Sequence, residues 1–146
     1  VLERVPGDKL SWTPHEKSMS LGRLAQHVAE VPGFVATLAT QNPGSLPENR
    51  ESTSAESVDA VLSALGDSVG KAKEILQGFD DAAMMESWSL AAGGRTLMSM
   101  PRVALLRALM LNHWYHHRGQ LSVYLRLLDV PVPSIYGPSA DENPFG

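Results

Sequence analysis

Three long stretches of the chain repeat apolar residues at alternating steps of three and four, and this spacing constrains the fold more than any other feature. Because an α-helix turns once every 3.6 residues, such positions line one face. The pattern predicts amphipathic helices over residues 20–39, 54–77 and 101–128. The stripes are Leu21, Leu24, Val28, Val31, Val35 and Leu38; then Val58, Leu62, Leu65, Val69, Ala72 and Leu76; then Val103, Leu106, Met110, His113, His117, Gln120 and Tyr124.

Residues that start, stop or bend helices set the expected boundaries. Pro32 falls inside the first helix and should kink it, because proline lacks a backbone N–H and crowds the preceding turn. Thr53 and Glu56 have the spacing of a capping box, Gly78 suits a helix end, and Pro101 suits a first helical position. Residues 41–52 are rich in turn formers and predict a loop.

The remaining segments are less regular. Residues 1–17 suggest a helix remnant and then a loop, with Trp12 packing as an anchor. Around Gly93 and Gly94, residues 87–90 and 95–98 predict either a short hairpin or an irregular loop. The proline-rich tail, residues 131–146, is expected to be extended along the helices.

Together these patterns predict an all-α protein, an up-and-down four-helix bundle whose first helix is truncated at Val1. We expect residues 1–146 to form a single domain of this kind, since a chain of 146 residues suffices for one core and shows no internal repeat.

Composition narrows the function classes. The net charge of −4 argues against a nucleic-acid partner, which usually meets a basic stripe. No apolar run approaches the roughly 18 residues that span a bilayer, and no signal peptide opens the chain. We therefore expect no membrane partner and a cytoplasmic location. The chain contains no cysteine, so a transition-metal site would need His, Asp or Glu ligands.

His113 and His117 are the most informative polar residues. They are four positions apart, so a helix carries both on one face, and the third stripe places that face toward the core. Each imidazole nitrogen in an apolar interior requires a hydrogen bond or a ligand. A cation held between the two rings would satisfy one nitrogen of each.

His27 is the obvious third ligand because it lies at the edge of the first apolar stripe, three residues after Leu24. Three imidazoles suit Zn, Ni, Fe or Cu and leave coordination positions for water or substrate. The alternative is a metal-free bundle in which these histidines are hydrogen-bonded core residues.

Other candidates are weaker. His116 lies on a flanking face and is a weak candidate for a catalytic role, while His15 sits in a proline-containing loop. Trp114 stands where an H-E-x-x-H protease has its glutamate, and the chain lacks the paired Glu-x-x-His motifs of di-iron bundles. Arg118, Gln120 and Arg126 are candidates for hydrogen bonds near the histidines, or are solvated side chains.

At this point the sequence resembles the DinB-like superfamily. Residues 112–121, NHWYHHRGQL, are similar to its N-H-x-x-H-H-R-G-Q-L stretch, and residues 17–28, KSMSLGRLAQHV, to its L-x-x-H helix. The tail at residues 132–142, VPSIYGPSADE, is similar to the ending of the same family. The likeness extends from about residue 12 to residue 142.

The resemblance implies a four-helix bundle, usually dimeric, with a three-His metal site on His27, His113 and His117. It also implies small-molecule substrates, among them low-molecular-weight thiols such as bacillithiol or mycothiol. The resulting hypothesis is a metal-dependent thiol transferase or hydrolase using a divalent Zn, Ni or Fe ion. The alternative is a non-catalytic metal-binding module with a structural or binding role.

Overall fold

The computed structural model describes residues 1–46 and 53–146. Two 3₁₀ turns, Leu2–Arg4 and Gly7–Lys9, precede the longer elements. The helices are α1 (Leu21–Ala39), α2 (Val58–Gln77), α3 (Asp81–Met85), α4 (Arg102–Leu105) and α5 (His113–Leu127), with a π-helical segment (Leu106–Asn112) between α4 and α5. The strands are β1 (Gly44–Ser45), β2 (Ser87–Ala92) and β3 (Arg95–Pro101).

The three strands overturn the expected all-α bundle. Of the residues that the structure describes, 54% are helical and 11% are in strands, and the strands form one mixed sheet in the order β1-β2-β3. The hairpin alternative for residues 87–98 is confirmed, because β2 and β3 pair antiparallel across Gly93 and Gly94. Both glycines have positive φ, which a two-residue hairpin turn of type I′ requires. The four-helix bundle prediction is therefore wrong.

The sheet is anchored to the end of α1. Trp88 on β2 is fully buried, and its indole N–H donates to the carbonyl of Gln41 at 2.6 Å. Asn42 donates to the carbonyl of Ser87 and accepts from the amide of Ser89. Gly44 then pairs in parallel with β2, in a place where a side chain would collide with the Trp88 ring.

Helix α1 forms as the periodicity predicts, and the side chain of Ser20 caps it by accepting from the amide of Arg23. The assigned helix continues through Pro32 to Ala39. It packs closely on α2 at Gly33, where an added Cβ would lie 3.0 Å from the backbone of Ser68.

Helix α2 ends at Gln77 and is capped by Gly78 as expected, but its predicted start at residue 54 is four residues too early. The observed cap is Ser57, whose hydroxyl accepts from the amide of Ala60, so Thr53 and Glu56 lie before the helix. Part of the loop predicted at residues 41–52 lies outside the described residues, which resume at Thr53.

The long C-terminal helix changes its winding. The π-helical segment bonds to residues five positions apart, so it takes more residues per turn than the α-helix around it. The side chains after it are consequently rotated relative to a continuous 3.6-residue pattern. Leu121 and Leu125 are fully buried, whereas Gln120, which the sequence stripe placed toward the core, is exposed.

The first residues do not form the truncated helix that we expected. They make the two 3₁₀ turns, with Leu2 and Val5 buried in an apolar cluster to which α1, α2 and α5 all contribute. Trp12 is half-buried, as predicted for an anchor, and its ring meets Tyr124 edge-on at 5.6 Å between centroids.

Arg102 is a charged side chain inside the fold, with 6% of its surface exposed. Its Nε donates to the carbonyl of Ala39 at the end of α1, and its terminal nitrogen donates to the carbonyl of Ala83 and to the carboxylate of Glu86. The guanidinium also lies over the Phe79 ring, 4.8 Å from the centroid. One residue therefore joins the start of α4 to the end of α1 and to α3.

The tail after α5 has no helix or strand and is fastened by two carboxylates. Asp141 pairs with Arg126 and accepts from the amide of Val132. Glu142 pairs with Arg4 and accepts from the amide of Ser134. These contacts hold the tail against α5 and the N-terminal turns.

Candidate metal centre

Two helices bring the three predicted histidines together. His27 lies in the first half of α1, at the edge of its buried face. His113 is the first residue of α5, immediately after the π-helical segment, and His117 follows one turn later. All three side chains are half-buried, so the cluster lies at the rim of the core rather than deep inside it.

The three imidazoles converge through their Nε2 atoms. The Nε2 of His113 lies 2.7 Å from that of His117 and 3.4 Å from that of His27. The ring centroids are between 4.4 and 5.2 Å apart. All ligand atoms of the group fall within 4.8 Å of one another.

This spacing fits a shared cation. Two nitrogens bonded to one tetrahedral zinc at about 2.0–2.1 Å are roughly 3.3–3.4 Å apart. The His27–His113 separation matches that value, while the 2.7 Å His113–His117 separation is shorter and corresponds to a bond angle of roughly 80–85°. The Nε2 of His113 faces the Nε2 atoms of both His27 and His117. A neutral imidazole nitrogen is either a single donor or an acceptor, so hydrogen bonds among the three rings match this arrangement less well than a shared cation does. The cluster can therefore hold a metal ion.

Gln120 fixes the orientation of one ring. Its side-chain oxygen lies 2.7 Å from Nδ1 of His117, which places the proton on Nδ1 and leaves Nε2 as the ligand atom. Burial lowers the pKa of His117, and the nearby His113 and His116 lower it further, whereas the hydrogen bond that the ring donates to Gln120 raises it. The balance favours the neutral ring that a metal requires.

Trp114 sets the distance between the two helices beside the cluster. Its indole N–H donates to the carbonyl of Val28 at 2.8 Å. In a regular helix that carbonyl would accept from the amide of residue 32, but Pro32 has no N–H. Because Val28 follows His27 and Trp114 follows His113, this hydrogen bond ties together the backbone neighbours of two candidate ligands.

The sequence did not reveal this role for Trp114. In the sequence, Trp114 indicates only that an H-E-x-x-H protease motif is absent at this position. Pro32 leaves the carbonyl of Val28 without an intrahelical donor, and this is the signal that the sequence contains. It identifies Trp114 as the donor only once the packing of α1 against α5 is known.

The other predicted candidates lie around the cluster rather than in it. His116 is exposed, with its ring 4.9 Å from the His117 ring. His15 is exposed and accepts from the amide of Lys17. Neither belongs to the group that could share a metal.

Of the three polar residues expected near the histidines, Gln120 is the one that hydrogen-bonds to the cluster. Arg118 instead lies between two rings, 5.1 Å from the centroid of Tyr115 and 4.8 Å from that of Tyr136. Arg126 pairs with Asp141 of the tail.

The fold and the cluster define a class of protein: a small helical domain with an added β-hairpin, in which facing helices present three imidazoles to one point. The family model described as the DinB family matches residues 1–143, so the chain belongs to the DinB family. This confirms the resemblance inferred from the histidine motif.

Two solved structures share the fold. A DinB-like protein from Bacillus cereus ATCC 10987 superposes with a TM-score of 0.70 at 24% identity, over 92% of this chain and 85% of that one. The DinB-like protein YjoA from Bacillus subtilis gives a TM-score of 0.68 at 22% identity, over 92% of this chain and 86% of that one.

A curated relative matches over a shorter stretch. The uncharacterized protein YrdA of Bacillus subtilis strain 168 is 46% identical over 43 residues, which is 30% of this chain and 25% of YrdA. The matched stretch thus spans about a quarter of that relative. Among residues 1–46 and 53–146, no helix is both long enough and apolar enough to cross a bilayer.

Proposed function

We propose that His27, His113 and His117 hold one divalent transition-metal ion and that the protein is a metal-dependent thiol transferase or hydrolase acting on a small molecule. The convergence of three Nε2 atoms from α1 and α5 is the observation that supports this proposal. Zn, Ni and Fe all accept a set of three imidazoles.

The proposed chemistry needs a nucleophile near neutral pH. A divalent ion supplies it by lowering the pKa of a thiol or water that binds at an open position. The protein contributes the three neutral imidazoles, the hydrogen bond of Gln120 that selects the tautomer of His117, and the Trp114 tether that spaces the helices. His116, exposed beside His117, stays a prediction as a residue that moves a proton.

A second candidate function is a metal that ties helices together without catalysis. The cluster joins α1 to α5, so an ion there would stabilise the folded state by linkage. An ion with solvent or substrate in a coordination position favours the enzyme, and an ion closed off by a carboxylate of the protein favours the structural role.

Metal content tests the ligand assignment. We expect one Zn, Ni or Fe ion per chain by elemental analysis of the purified protein, and loss of most of it in the His113→Ala variant. His15→Ala is the matched control, because His15 is an exposed imidazole outside the cluster. Equal metal content in His113→Ala and in the control would overturn the assignment.

Activity is tested separately. We expect the metal-loaded protein to conjugate bacillithiol or mycothiol to an electrophilic acceptor, or to hydrolyse an activated ester, and we expect a chelator to abolish this. His116→Ala should keep its metal and lose rate if His116 moves a proton. Activity that survives complete metal removal would contradict the proposal.

The assembly state and location are also predictions. We propose a homodimer, since two-fold pairs are the commonest assembly of soluble proteins. We also propose that the protein is located in the cytoplasm. Sedimentation equilibrium of the purified protein would give a mass near 15.8 kDa for a monomer and twice that for the proposed dimer.

A further inference from the structure

A small apolar cavity adjoins the candidate metal centre. Its volume is about 170 Å³, and His113 is one of its walls. The other described walls are apolar side chains: Val31, Phe34, Val35, Leu38, Leu46 and Leu109. The cavity therefore reaches the three-His cluster through a ligand residue rather than through a separate part of the surface.

Both helices that carry the histidines also form the cavity. Phe34 lies seven residues after His27, two turns along the same face of α1. Leu109 lies four residues before His113, in the π-helical segment. A group in the cavity would thus lie against His113, one of the three candidate ligands.

The size and lining of the cavity limit what it can take. An apolar protein cavity of about 150 Å³ accommodates benzene, so this one is large enough for a six-membered ring or a branched aliphatic group. None of its described walls is a charged side chain, and a charged group placed there would lose hydration without compensation.

A second space, on the other side of Phe34, has the opposite character. It is an open groove of about 370 Å³ between α1 and α2, with Glu30, Asp67 and Lys71 among its walls. None of the three histidines borders that groove. Of these two spaces, the apolar cavity, although smaller, is the one that borders a candidate ligand.

We propose that the metal centre acts on molecules that carry a compact apolar group, an aromatic ring or a branched chain of similar size, and that this group occupies the cavity beside His113. This inference rests on the proposed function and names its substrate class. The reacting atom of such a molecule would lie at the three-His cluster while Phe34 and Leu109 enclose the apolar group.

Toluene tests the cavity without reference to the metal. We expect it to bind the chelator-treated protein and to perturb NMR signals of the wall residues. Leu109→Trp, which fills the cavity, should weaken binding at least about tenfold. Leu109→Ala should instead improve binding of naphthalene, and it tests the same space without overpacking. Lys71→Gln, in the polar groove, is the matched control and should change neither.

Benzyl mercaptan tests the link to the metal centre. With cobalt in the site, the visible absorption spectrum reports coordination of the thiol, and we expect benzyl mercaptan to bind at least about tenfold more tightly than 2-mercaptoethanol. Leu109→Trp should remove this preference while retaining one metal per chain.

The outcomes separate the two proposals. If metal binds but toluene does not, or if both thiols bind equally, the substrate assignment is wrong and the metal centre stands. If toluene binds but no metal is retained, the proposed function fails, and the cavity is no longer a substrate site.

Discussion

The hydrogen bond between Trp114 and Val28 gives the sharpest test of how the site is held. Trp114→Phe removes the indole donor and leaves the carbonyl of Val28 without its partner, because Pro32 cannot replace it. An unsatisfied buried acceptor costs about 1–3 kcal/mol in the free energy of unfolding. For a chain of this length, about 2 kcal/mol corresponds to a fall in melting temperature of roughly 4–8 °C.

Pro32→Ala provides the internal control. An alanine at this position regains a backbone N–H that can donate to Val28 within α1. In that background, Trp114→Phe should cost about 1–2 kcal/mol less than it costs alone. Other effects of each substitution, such as the smaller ring and the altered entropy of the unfolded chain, appear on both sides of the cycle and cancel.

Urea unfolding of the four metal-free proteins, followed by circular dichroism, measures this coupling. A coupling energy below about 0.5 kcal/mol would mean that the two changes are independent and would refute the reasoning. Metal affinity adds a second readout. The double variant should recover stability but not affinity, because the intrahelical bond satisfies Val28 without tying α5 to α1.

Three further predictions concern the site, the tail and the sheet. Gln120→Ala should lower metal affinity about 10–100-fold with little change in stability, measured by competition with a fluorescent chelator, and unchanged affinity would exclude its role in orienting His117. The hydrogen bond from Arg126 holds the pKa of Asp141 below its ordinary value. A carboxylate with a lowered pKa stabilises the folded state fully above its unfolded pKa. The contacts of the tail with Asp141 should therefore be lost as the pH falls through the lowered pKa. The protection of the amide of Val132, taken as its exchange rate relative to the intrinsic rate of an unprotected amide at the same pH, checks this. Protection that is unchanged at pH 2 would contradict it. Gly44→Ala should destabilise by about 1–3 kcal/mol in thermal unfolding, because the new Cβ would lie 2.3 Å from the Trp88 ring. Gly70→Ala, in an open position on α2, should instead stabilise by about 0.5–1 kcal/mol, and equal effects of the two changes would show that the collision is absent.

Local sequence patterns account for the elements whose contacts are local. The stripe from Leu21 to Leu38 gives α1 within one residue, because each apolar position reports the same helical face. The Gly93-Gly94 pair marks the hairpin turn because few residues other than glycine adopt two successive positive φ angles. The start of α2 was placed too early because Thr53 and Ser57 are both acceptable caps, and only packing selects between them.

Features that depend on distant contacts were missed. Strand β1 has two residues and no pattern of its own, and it exists because Gly44 fits against Trp88 of β2. The predicted phase of α5 is wrong because no pattern in residues 106–112 indicates a π-helical turn. His113 and His117 still lie on one helix face because both belong to one regular stretch of α5, after the change in winding.

The proximity of the three histidines is therefore easier to predict than the fold that brings them together. Two imidazoles four residues apart lie on one helix face even where the predicted phase of the whole helix is wrong. His27 lies in α1, whose predicted limits agree with the structure to within one residue. Gln120 was singled out as a possible partner, whereas the tether through Trp114 required knowledge of how α1 and α5 dock.

Arg102 constrains how far this sequence can diverge. A lysine at this position would keep the charge but carries a single ammonium group, which cannot reproduce the planar fork that reaches Ala39, Ala83 and Glu86 at once. A substitution of Arg102 therefore removes the hydrogen-bond donor of two carbonyls at once, those of Ala39 and Ala83, which lie in separate segments of the chain. We expect homologous chains to exchange apolar residues freely while arginine at this position persists wherever the hairpin follows α3.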